Sequence, residues 1–322
     1  MGIRVKLPAT ECKNNLIIFI LSLIFCFGHC NEGLAAPSYM SFRDHTNRTI
    51  NLFHPAVRII SLSQAHTENL VAIRAVKQIT GVSYLTSSKW ILKNIRRLSR
   101  VPSAEQISEL KPDIVILDSE SLNDNISLIK DLDKEKIPYI VMDRPENIGL
   151  KRYMDILGGI SGRTAEAKKA LVFYERCIYK AAVRSANARR PNVFVIAGSD
   201  FSTCAYDSWG AKLIAFSGGK LISDKNAARI NGYPWFIFYG PNRLAAAGNK
   251  VDVIITLSEN ERRISSITRE TILKDPRFKD IPAVKNGMVW EMNEDDLMLP
   301  SMLRLDSSLV RIWKLFNAGV LK

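Results

Sequence analysis

The feature that most constrains the fold is a long helical stretch in the middle of the chain, residues 164–190. Apolar residues recur there every three or four positions, as expected for a helix with one buried face. Thr164 can cap the first turn, and Pro191 prevents the helix from continuing. At 1.5 Å per residue the helix would be roughly 40 Å long, enough to reach across two small domains.

Strand and helix patterns alternate on both sides of this helix. Before it, apolar strands are predicted at 58–62, 78–82, 114–117 and 139–142, with helices at 67–75, 103–110, 122–134 and 148–160. After it, strands are predicted at 193–197, 251–256 and 288–292, with helices near 211–216 and 301–316. Such alternation is typical of parallel sheets covered by helices. The sequence therefore predicts an α/β fold of two lobes, each with a parallel-type sheet, joined by one long helix.

The N-terminus has the pattern of a secretory signal peptide. Basic residues at Arg4, Lys6 and Lys13 precede an apolar run at 16–27, and small residues follow up to Ala35. A run of about a dozen apolar residues is short for a membrane span. We expect cleavage near Ala35 and a soluble exported protein in the periplasm, because an unanchored protein would be lost from a cell without an outer membrane.

These patterns divide the chain into five parts. The predicted parts are a signal peptide (1–35), a lead-in with a hairpin (36–55), an N-terminal lobe (56–162), the connecting helix (163–190) and a C-terminal lobe (191–322).

Charge and cysteine content limit the partners. The formal net charge is +13, but the basic residues are scattered and nucleic-acid binding makes little sense after export. An anionic ligand or a charged envelope surface is the better interpretation of the net charge.

Three of the five cysteines lie in the predicted signal, which leaves Cys177 and Cys204. An oxidising compartment permits a bond between them, but the sequence gives no distance.

Nothing in the sequence indicates catalysis or a bound metal. His66 is the one histidine of the predicted lobes, since the other three lie in the signal and the lead-in. No Gly-x-Ser-x-Gly elbow, phosphate-binding glycine loop or His-Glu-x-x-His motif is present, and no Cys/His spacing suggests zinc. We therefore expect neither an enzyme nor a cofactor.

Several short segments carry a family pattern in their order and spacing. They lie at 42–49, 58–62, 67–68, 105–116, 217–219, 251–255 and, most similar of all, 281–290. Together they resemble the periplasmic substrate-binding proteins of ABC importers for iron-siderophores, haem and cobalamin, over about residues 42–316. The resemblance implies two lobes on one rigid helix, a small ligand held between them, and an importer permease as partner. We expect a monomer.

The same resemblance implies docking on the permease through one exposed glutamate on each lobe. The first falls on Glu105. The second should lie shortly before Val251, where the sequence has Asn242 and Arg243 instead, so the second contact remains open.

Candidate ligand contacts lie in the loops that follow the predicted strands, since ligands of open α/β sheets bind beyond the carboxyl ends of the strands. In the first lobe they are His66, Tyr84, Trp90, Arg96 and Arg97, and in the second they are Tyr206, Trp209, Tyr233 and Trp235. Aromatic faces and guanidinium groups suit planar, anionic ligands. His66 could equally be a polar loop residue, the arginines a solvated face, and some of the aromatic residues core.

The sequence thus predicts a solute-binding protein that carries a metal chelate, with a ferric siderophore as the first choice. Cobalamin and haem are alternatives of the same class. A sensor or scaffold of the cell envelope that has kept the fold and lost transport is an alternative of another class.

Overall fold

An antiparallel hairpin opens the part of the chain that the structure describes. The computed structural model describes residues 39–87, 92–99, 101–258 and 266–318, so the predicted signal peptide and Trp90 lie outside them. The hairpin pairs β1 (Met40–Arg43) with β2 (Thr49–Leu52). Its turn is stabilised by the Asp44 carboxylate, which accepts hydrogen bonds from the N–H groups of Thr46 and Arg48. Asn47 takes a left-handed conformation with φ of 62°, which asparagine tolerates.

A five-stranded parallel sheet forms the N-terminal lobe. Its strands are β3 (Ile59–Ser61), β4 (Ile79–Ser83), β5 (Arg96–Leu98), β6 (Ile114–Asp118) and β7 (Tyr139–Met142). They lie side by side in the order β5–β4–β3–β6–β7. The helices of this lobe are α1 (Gln64–Ala72), α2 (Ala104–Ser108), α3 (Ile126–Lys134), α4 (Pro145–Ile148) and α5 (Leu150–Ser161). Strand β5 has no apolar run to reveal it, because it is an edge strand that begins with two arginines.

The connecting helix, α6 (Thr164–Ser185), has 22 residues and ends five residues before Arg190. It is about 33 Å long. Its buried positions carry small side chains: Ala167, Ala170, Cys177, Ala181 and Ser185. Small side chains let neighbouring helices approach closely. A Cβ added at Gly158 of α5 would lie 2.8 Å from the Cβ of Ala167.

Two sheets build the C-terminal lobe. Its strands are β8 (Asn192–Ile196), β9 (Thr203–Cys204), β10 (Lys220–Leu221), β11 (Arg229–Ile230), β12 (Tyr233–Ile237), β13 (Val253–Ser258) and β14 (Val289–Asn293). A parallel sheet has the order β10–β8–β13–β14, and a smaller antiparallel sheet has the order β11–β12–β9. The helices are α7 (Trp209–Phe216), α8 (Pro241–Ala247), α9 (Arg269–Lys274), α10 (Pro282–Lys285), α11 (Glu294–Met298) and α12 (Leu305–Asn317).

The central strands of both parallel sheets are buried on both faces, because helices cover each side. All residues of β6 are buried, as are Val193 to Ile196 of β8. The predicted fold class, two parallel-sheet lobes and one long helix, is confirmed. Cys177 and Cys204 are both buried free thiols. Among the described helices, none is both long enough and apolar enough to cross a membrane.

The lobes are joined a second time by the segment that follows α11. The side-chain amide of Asn69, on α1, donates a hydrogen bond of 2.7 Å to the carbonyl of Pro300. Its carbonyl oxygen accepts one of 2.9 Å from the N–H of Met302. The chain therefore crosses back to the N-terminal lobe before α12 begins, and both lobes help to shape the space between them.

Candidate ligand-binding cleft

A cavity of about 690 Å³ lies between the two lobes. On the N-terminal side it is lined by the residues that follow four parallel strands, namely Leu62 to Ala65, Ser83 and Leu85, Asp118 with the turn at 120–125, and Arg144. On the C-terminal side it is lined by Arg229 to Trp235 and by Leu299. The cavity thus lies beyond the carboxyl ends of the first sheet, where open α/β folds bind ligands.

Arg144 joins the two walls of this cleft. Its guanidinium carbon lies 3.8 Å from the ring centroid of Trp235, a cation–π contact between the lobes. Its Nε lies 3.4 Å from Oδ2 of Asp118 and 3.1 Å from Oε2 of Glu120. Arg144 is 7% exposed and Trp235 is 8% exposed. The pair is therefore largely desolvated and fixed in place, with carboxylates on one side and an indole face on the other.

Asp118 ends β6 and is held in its ionised form. Burial would raise its pKa, but the guanidinium group of Arg144, the N–H of Glu120 and the hydroxyl of Ser63 together hold that pKa below its usual value. The Ser63 hydroxyl donates a hydrogen bond of 2.9 Å to Oδ2. The N-terminal wall of the cleft therefore carries a fixed negative charge.

A hydrogen-bonded cluster of Gln64, Ser87 and Asp295 connects the two lobes next to the cavity. Oδ2 of Asp295, on α11, accepts hydrogen bonds of 2.7 Å from Gln64 Nε2 and 2.8 Å from Ser87 Oγ. Burial raises the pKa of Asp295, although these two donors and Arg304 oppose the shift. Because Gln64 also lines the cavity, this hydrogen-bonded cluster fixes one wall of the cleft against the other.

The C-terminal wall is a β-hairpin. Strands β11 and β12 are joined at Asn231 and Gly232, where Gly232 has φ of 75°. An Asn-Gly pair favours such tight turns, because both residues tolerate positive φ. Tyr233 lies edge-on to Trp235, with ring centroids 5.6 Å apart at 79°. The hairpin thus presents two aromatic side chains to the cleft.

Arg229, on β11, stabilises this hairpin through contacts within the C-terminal lobe. Its Nη2 lies 2.8 Å from both carboxylate oxygens of Asp207, and its Nη1 donates to the carbonyl of Pro234 at 2.7 Å. Its guanidinium group is therefore already bound to a carboxylate within the lobe.

Among the predicted contact residues, Tyr233 and Trp235 line the cavity and lie together on the hairpin. Tyr206 is 47% exposed, and the centroid of its ring lies 5.6 Å from the guanidinium carbon of Arg229. It is not among the described residues that line the cavity. Trp209 is buried on α7, where it packs against Tyr174 of the connecting helix.

His66 is fully buried inside the N-terminal lobe. Its Nδ1 lies 2.9 Å from the hydroxyl of Tyr153, which accepts a hydrogen bond from Asn69. Burial lowers the pKa of His66, so the ring is neutral. The structure thus places this side chain in a polar cluster of the core, away from the cavity wall.

The remaining predicted contacts of the first lobe lie around β5. Arg96 is exposed on this edge strand, and Arg97 donates a hydrogen bond of 2.7 Å to the carbonyl of Thr86. Tyr84 is half-buried, and its N–H donates to the carbonyl of Leu98. These three residues are not among the described residues that line the cavity. Trp90 lies outside the described residues.

Glu105 is exposed in the first turn of α2. Ser103 caps this helix, with its hydroxyl accepting from the N–H of Gln106 while the Gln106 side chain accepts from the N–H of Ser103. In the second lobe, Arg243 lies where the resemblance implies a second docking glutamate, and it pairs with Asp224 at 2.6 Å.

Sequence reasoning missed Arg144, the turn at 123–125 and the hairpin form of residues 229–237. Two signals could have found them. Arg144 comes two residues after a buried strand, so the rule that selected the other loops also applies to it. The Asn231-Gly232 pair between apolar residues is itself a strong hairpin signal.

A ligand-sized cavity between two lobes on a single helix defines a two-lobed binding protein. Solved structures of such proteins share this fold. A periplasmic binding protein from Veillonella parvula is 17% identical, with a TM-score of 0.71, over 87% of this chain and 97% of its own. The molybdate-binding protein of a Haemophilus influenzae ABC transporter is 16% identical, with a TM-score of 0.68, over 87% and 92%. The periplasmic haem-binding protein from Roseiflexus sp. RS-1 is 18% identical, with a TM-score of 0.64, over 80% and 98%.

The chain belongs to the periplasmic binding protein family, whose sequence model matches residues 59–295. A comparison with curated proteins finds no match. The protein is thus a periplasmic binding protein, as predicted, and its family is one of binding proteins and not of enzymes. Among the described residues, no group of three or more His, Cys, Asp and Glu side chains is arranged to hold a metal ion.

Proposed function

We propose that the protein captures a metal chelate, of the ferric siderophore class, in the cleft between its lobes and delivers it to the permease of an ABC importer. The observation that carries this proposal is the cavity of about 690 Å³ with Trp235 and Tyr233 on one wall and Arg144 crossing to the other. Pockets for organic ligands have volumes of roughly 300–1,000 Å³.

The size of the cleft supports an organic ligand rather than a bare ion. At about 30 Å³ per water molecule, the cavity has room for roughly twenty waters. A small oxyanion or a hydrated metal ion would fill only a fraction of that volume. An organic chelate would reach both walls at once.

The chemistry of the walls supports the same ligand class. Hydroxyl and amide groups from Ser63, Gln64, Ser83, Ser121 and Asn125 line the N-terminal side. The hairpin offers aromatic faces. A few polar groups around an apolar surface are typical of sites that orient an organic ligand.

The ligand class can be tested by titration of the purified protein with ferric siderophores, haemin, cyanocobalamin and molybdate, following tryptophan fluorescence. We expect micromolar or tighter binding of a ferric siderophore. Binding of haemin or cyanocobalamin alone would replace the siderophore within the same class. If none of the four ligands binds, the importer function is wrong and the sensor or scaffold alternative stands.

Trp235 should report this binding, because it is the described tryptophan on the cavity wall. Trp235→Phe should remove most of the quenching. Trp313→Phe is the matched control, since Trp313 lies on α12, outside the described cavity lining.

Delivery can be tested at Glu105. Glu105→Ala should slow uptake of the chelate by cells without weakening binding to the purified protein. Glu109→Ala is the matched control, because Glu109 is exposed at the end of the same helix. Equal uptake by wild type and Glu105→Ala would remove Glu105 from the docking contact.

Export is part of the same proposal. Protein recovered from the periplasm should begin at Ala36, as determined by N-terminal sequencing. An N-terminus that retains residues 1–35 would contradict cleavage near Ala35.

A further inference from the structure

The amino ends of the parallel strands carry much of the positive charge of the chain. In each parallel sheet all strands point the same way, so their amino ends lie at one edge. Eight of the nine parallel strands begin at a segment that the structure describes throughout, and these segments are 53–58, 73–78, 109–113, 135–138, 186–191, 217–220, 248–252 and 285–288. They contain ten basic and four acidic residues, and all ten basic side chains are exposed. The amino edges of both sheets are therefore strongly basic.

Helix α6 runs from one of these edges to the other. Just before the helix, a Cβ added at Gly162 would lie 2.8 Å from Cβ of Pro55, at the edge of the first sheet. At its last residue, Ser185, the side-chain Cβ would lie 2.7 Å from a Cβ added at Gly218, at the edge of the second sheet. The eight segments and the exposed side of α6 therefore lie next to each other, and together they are called the basal surface.

The exposed side of α6 adds to the positive charge. Its exposed basic residues are Lys168, Lys169, Arg176 and Lys180, against one exposed carboxylate, Glu175. None of the four basic side chains forms an ion pair with another residue that the structure describes. The basal surface as a whole therefore has fourteen exposed basic residues and five acidic ones, out of a formal net charge of +13 for the chain.

The basal surface also exposes apolar side chains. Among the described residues, four of the five most exposed large apolar side chains lie on it: Tyr179 (71%), Val57 (63%), Phe53 (62%) and Val183 (60%). Tyr179 and Val183 are one helical turn apart and so lie on the same side of α6. Exposed apolar groups among basic residues are typical of surfaces that bind to the headgroup region of a membrane, where tyrosine is enriched.

The basal surface and the ligand cavity lie on opposite sides of the first sheet. The cavity lies beyond the carboxyl ends of these strands, and the basal surface contains their amino ends. Glu105 is in the first turn of α2, which follows the carboxyl end of β5. A partner bound to the basal surface would therefore leave the cleft accessible to its ligand.

We propose that the basal surface binds a bilayer of anionic phospholipids. Negative headgroups complement basic residues that are spread over both lobes and the helix between them, and each Lys or Arg near such a surface strengthens binding. A second copy of the chain fits less well, because two basic surfaces would repel each other. The net charge of the chain then serves to hold the protein on a membrane with its cleft facing away from the lipid, whichever ligand the cleft carries.

The test is cosedimentation of protein purified from the periplasm with lipid vesicles. One set contains phosphatidylcholine alone, and in the other about a third of the lipid is phosphatidylglycerol. We expect an affinity at least about tenfold higher for the anionic vesicles. The difference should disappear at 1 M salt, where the screening length is about 3 Å. No transported ligand is needed, so the result is independent of the ligand titrations that test the proposed function.

A double charge reversal assigns the binding to this surface. Lys169→Glu combined with Lys180→Glu should lower the affinity for anionic vesicles at least about tenfold. The matched control, Arg152→Glu combined with Lys225→Glu, changes the net charge equally at exposed positions and should bind like the wild type. Arg152 and Lys225 follow the carboxyl ends of β7 and β10, so they lie outside the basal surface.

Three results would overturn the proposal. The first is no binding to anionic vesicles, or equal binding to neutral ones. The second is an equal loss in the two double variants, which would mean that net charge alone attracts the protein to lipid. The third is a dimer in sedimentation velocity without vesicles that Lys169→Glu with Lys180→Glu dissociates, which would assign the surface to a second copy. A surface that binds neither vesicles nor a second copy would leave a soluble acidic partner in place of the lipid.

Discussion

The carboxylate of Glu68 on α1 is bound by both Nε and Nη2 of Arg304, at 2.9 and 2.8 Å, across the two lobes. Glu68 is fully buried, and the hydroxyl of Ser301 also donates to it. The two residues are 236 positions apart in the sequence. This ion pair joins the lobes at a second place besides the connecting helix, and so restricts how far the cleft can open.

Glu68→Gln should lower the free energy of unfolding by about 2–3 kcal/mol, because it removes a buried, charged hydrogen-bond partner of Arg304. The loss is limited because Arg304 keeps Asp296 at 2.9 Å and Asp295 at 3.6 Å. Chemical denaturation measures this loss. Lys274→Ala is the control, since Lys274 and Glu270 form an exposed pair. That control should cost about 1 kcal/mol or less. A similar small loss in Glu68→Gln would contradict a structural role for the pair.

Glu68→Gln should also increase the movement of the two lobes relative to each other. With the second connection intact, ligand binding should change the radius of gyration only slightly in small-angle X-ray scattering. Glu68→Gln should increase that change. If a large ligand-induced closure is seen in the wild type, the two connections do not hold the lobes as inferred.

Arg144→Lys separates charge from stacking in the cleft. A lysine keeps a positive charge near Asp118 and Glu120 but lacks the flat face that covers Trp235. We expect about a tenfold loss of ligand affinity, since a desolvated cation–π contact contributes on the order of 1–2 kcal/mol. Arg184→Lys is the control, because Arg184 faces Trp313, outside the described cavity lining. Unchanged affinity in Arg144→Lys would show that stacking does not shape the site.

His66 should make stability depend on pH. Burial lowers its pKa, so the folded protein keeps the ring neutral while the unfolded chain takes up a proton below about pH 6.5. The unfolded state then binds more protons, and the free energy of unfolding falls as the pH is lowered from 7 to 5. One such group contributes up to about 1.4 kcal/mol per pH unit.

His66→Gln should show a shallower loss of stability over this range, measured by denaturation at pH 7, 6 and 5. His54→Gln should keep the wild-type slope, because His54 is exposed in the segment after β2. Identical slopes in wild type and His66→Gln would mean that His66 is protonated in the folded state.

Gly232 should control the shape of the hairpin wall. A Cβ at this position meets no atom within 4 Å, but its φ of 75° strains most side chains. Gly232→Val should weaken ligand binding and cost roughly 1–2 kcal/mol of stability. Gly232→Asn should stay close to wild type, because asparagine tolerates this conformation. If both variants behave alike in calorimetry and denaturation, the backbone conformation at this position does not matter for the site.

Local signals in the sequence predicted much of the fold. Apolar runs such as Ile114 to Leu117 indicate strands covered on both faces, and Ser103 marks the start of α2 through its capping box. These elements depend on neighbours a few residues away, so periodicity and capping reveal them. Strand β5 escaped prediction because an edge strand needs no apolar run.

The residues that line the cavity were harder to predict from local sequence patterns. Tyr233 and Trp235 could be assigned to the cleft because they follow the pattern of aromatic residues in a polar loop. The same pattern selected Trp209, which packs in the core, and the loop rule selected His66, which hydrogen-bonds Tyr153 inside the lobe. Local context does not distinguish these cases, because burial depends on elements distant in the chain.

By itself the sequence determined the α/β class, the connecting helix and the family, since each is encoded in local periodicity or in ordered short motifs. Only the tertiary structure decided which charges face the cavity. Arg144 is neutralised by carboxylates from β6 and the turn after it and stacked on Trp235, while Glu68 is paired with Arg304. The physical reason is that the effect of a charge depends on its desolvation and its nearest partners, and folding brings both together from distant parts of the chain.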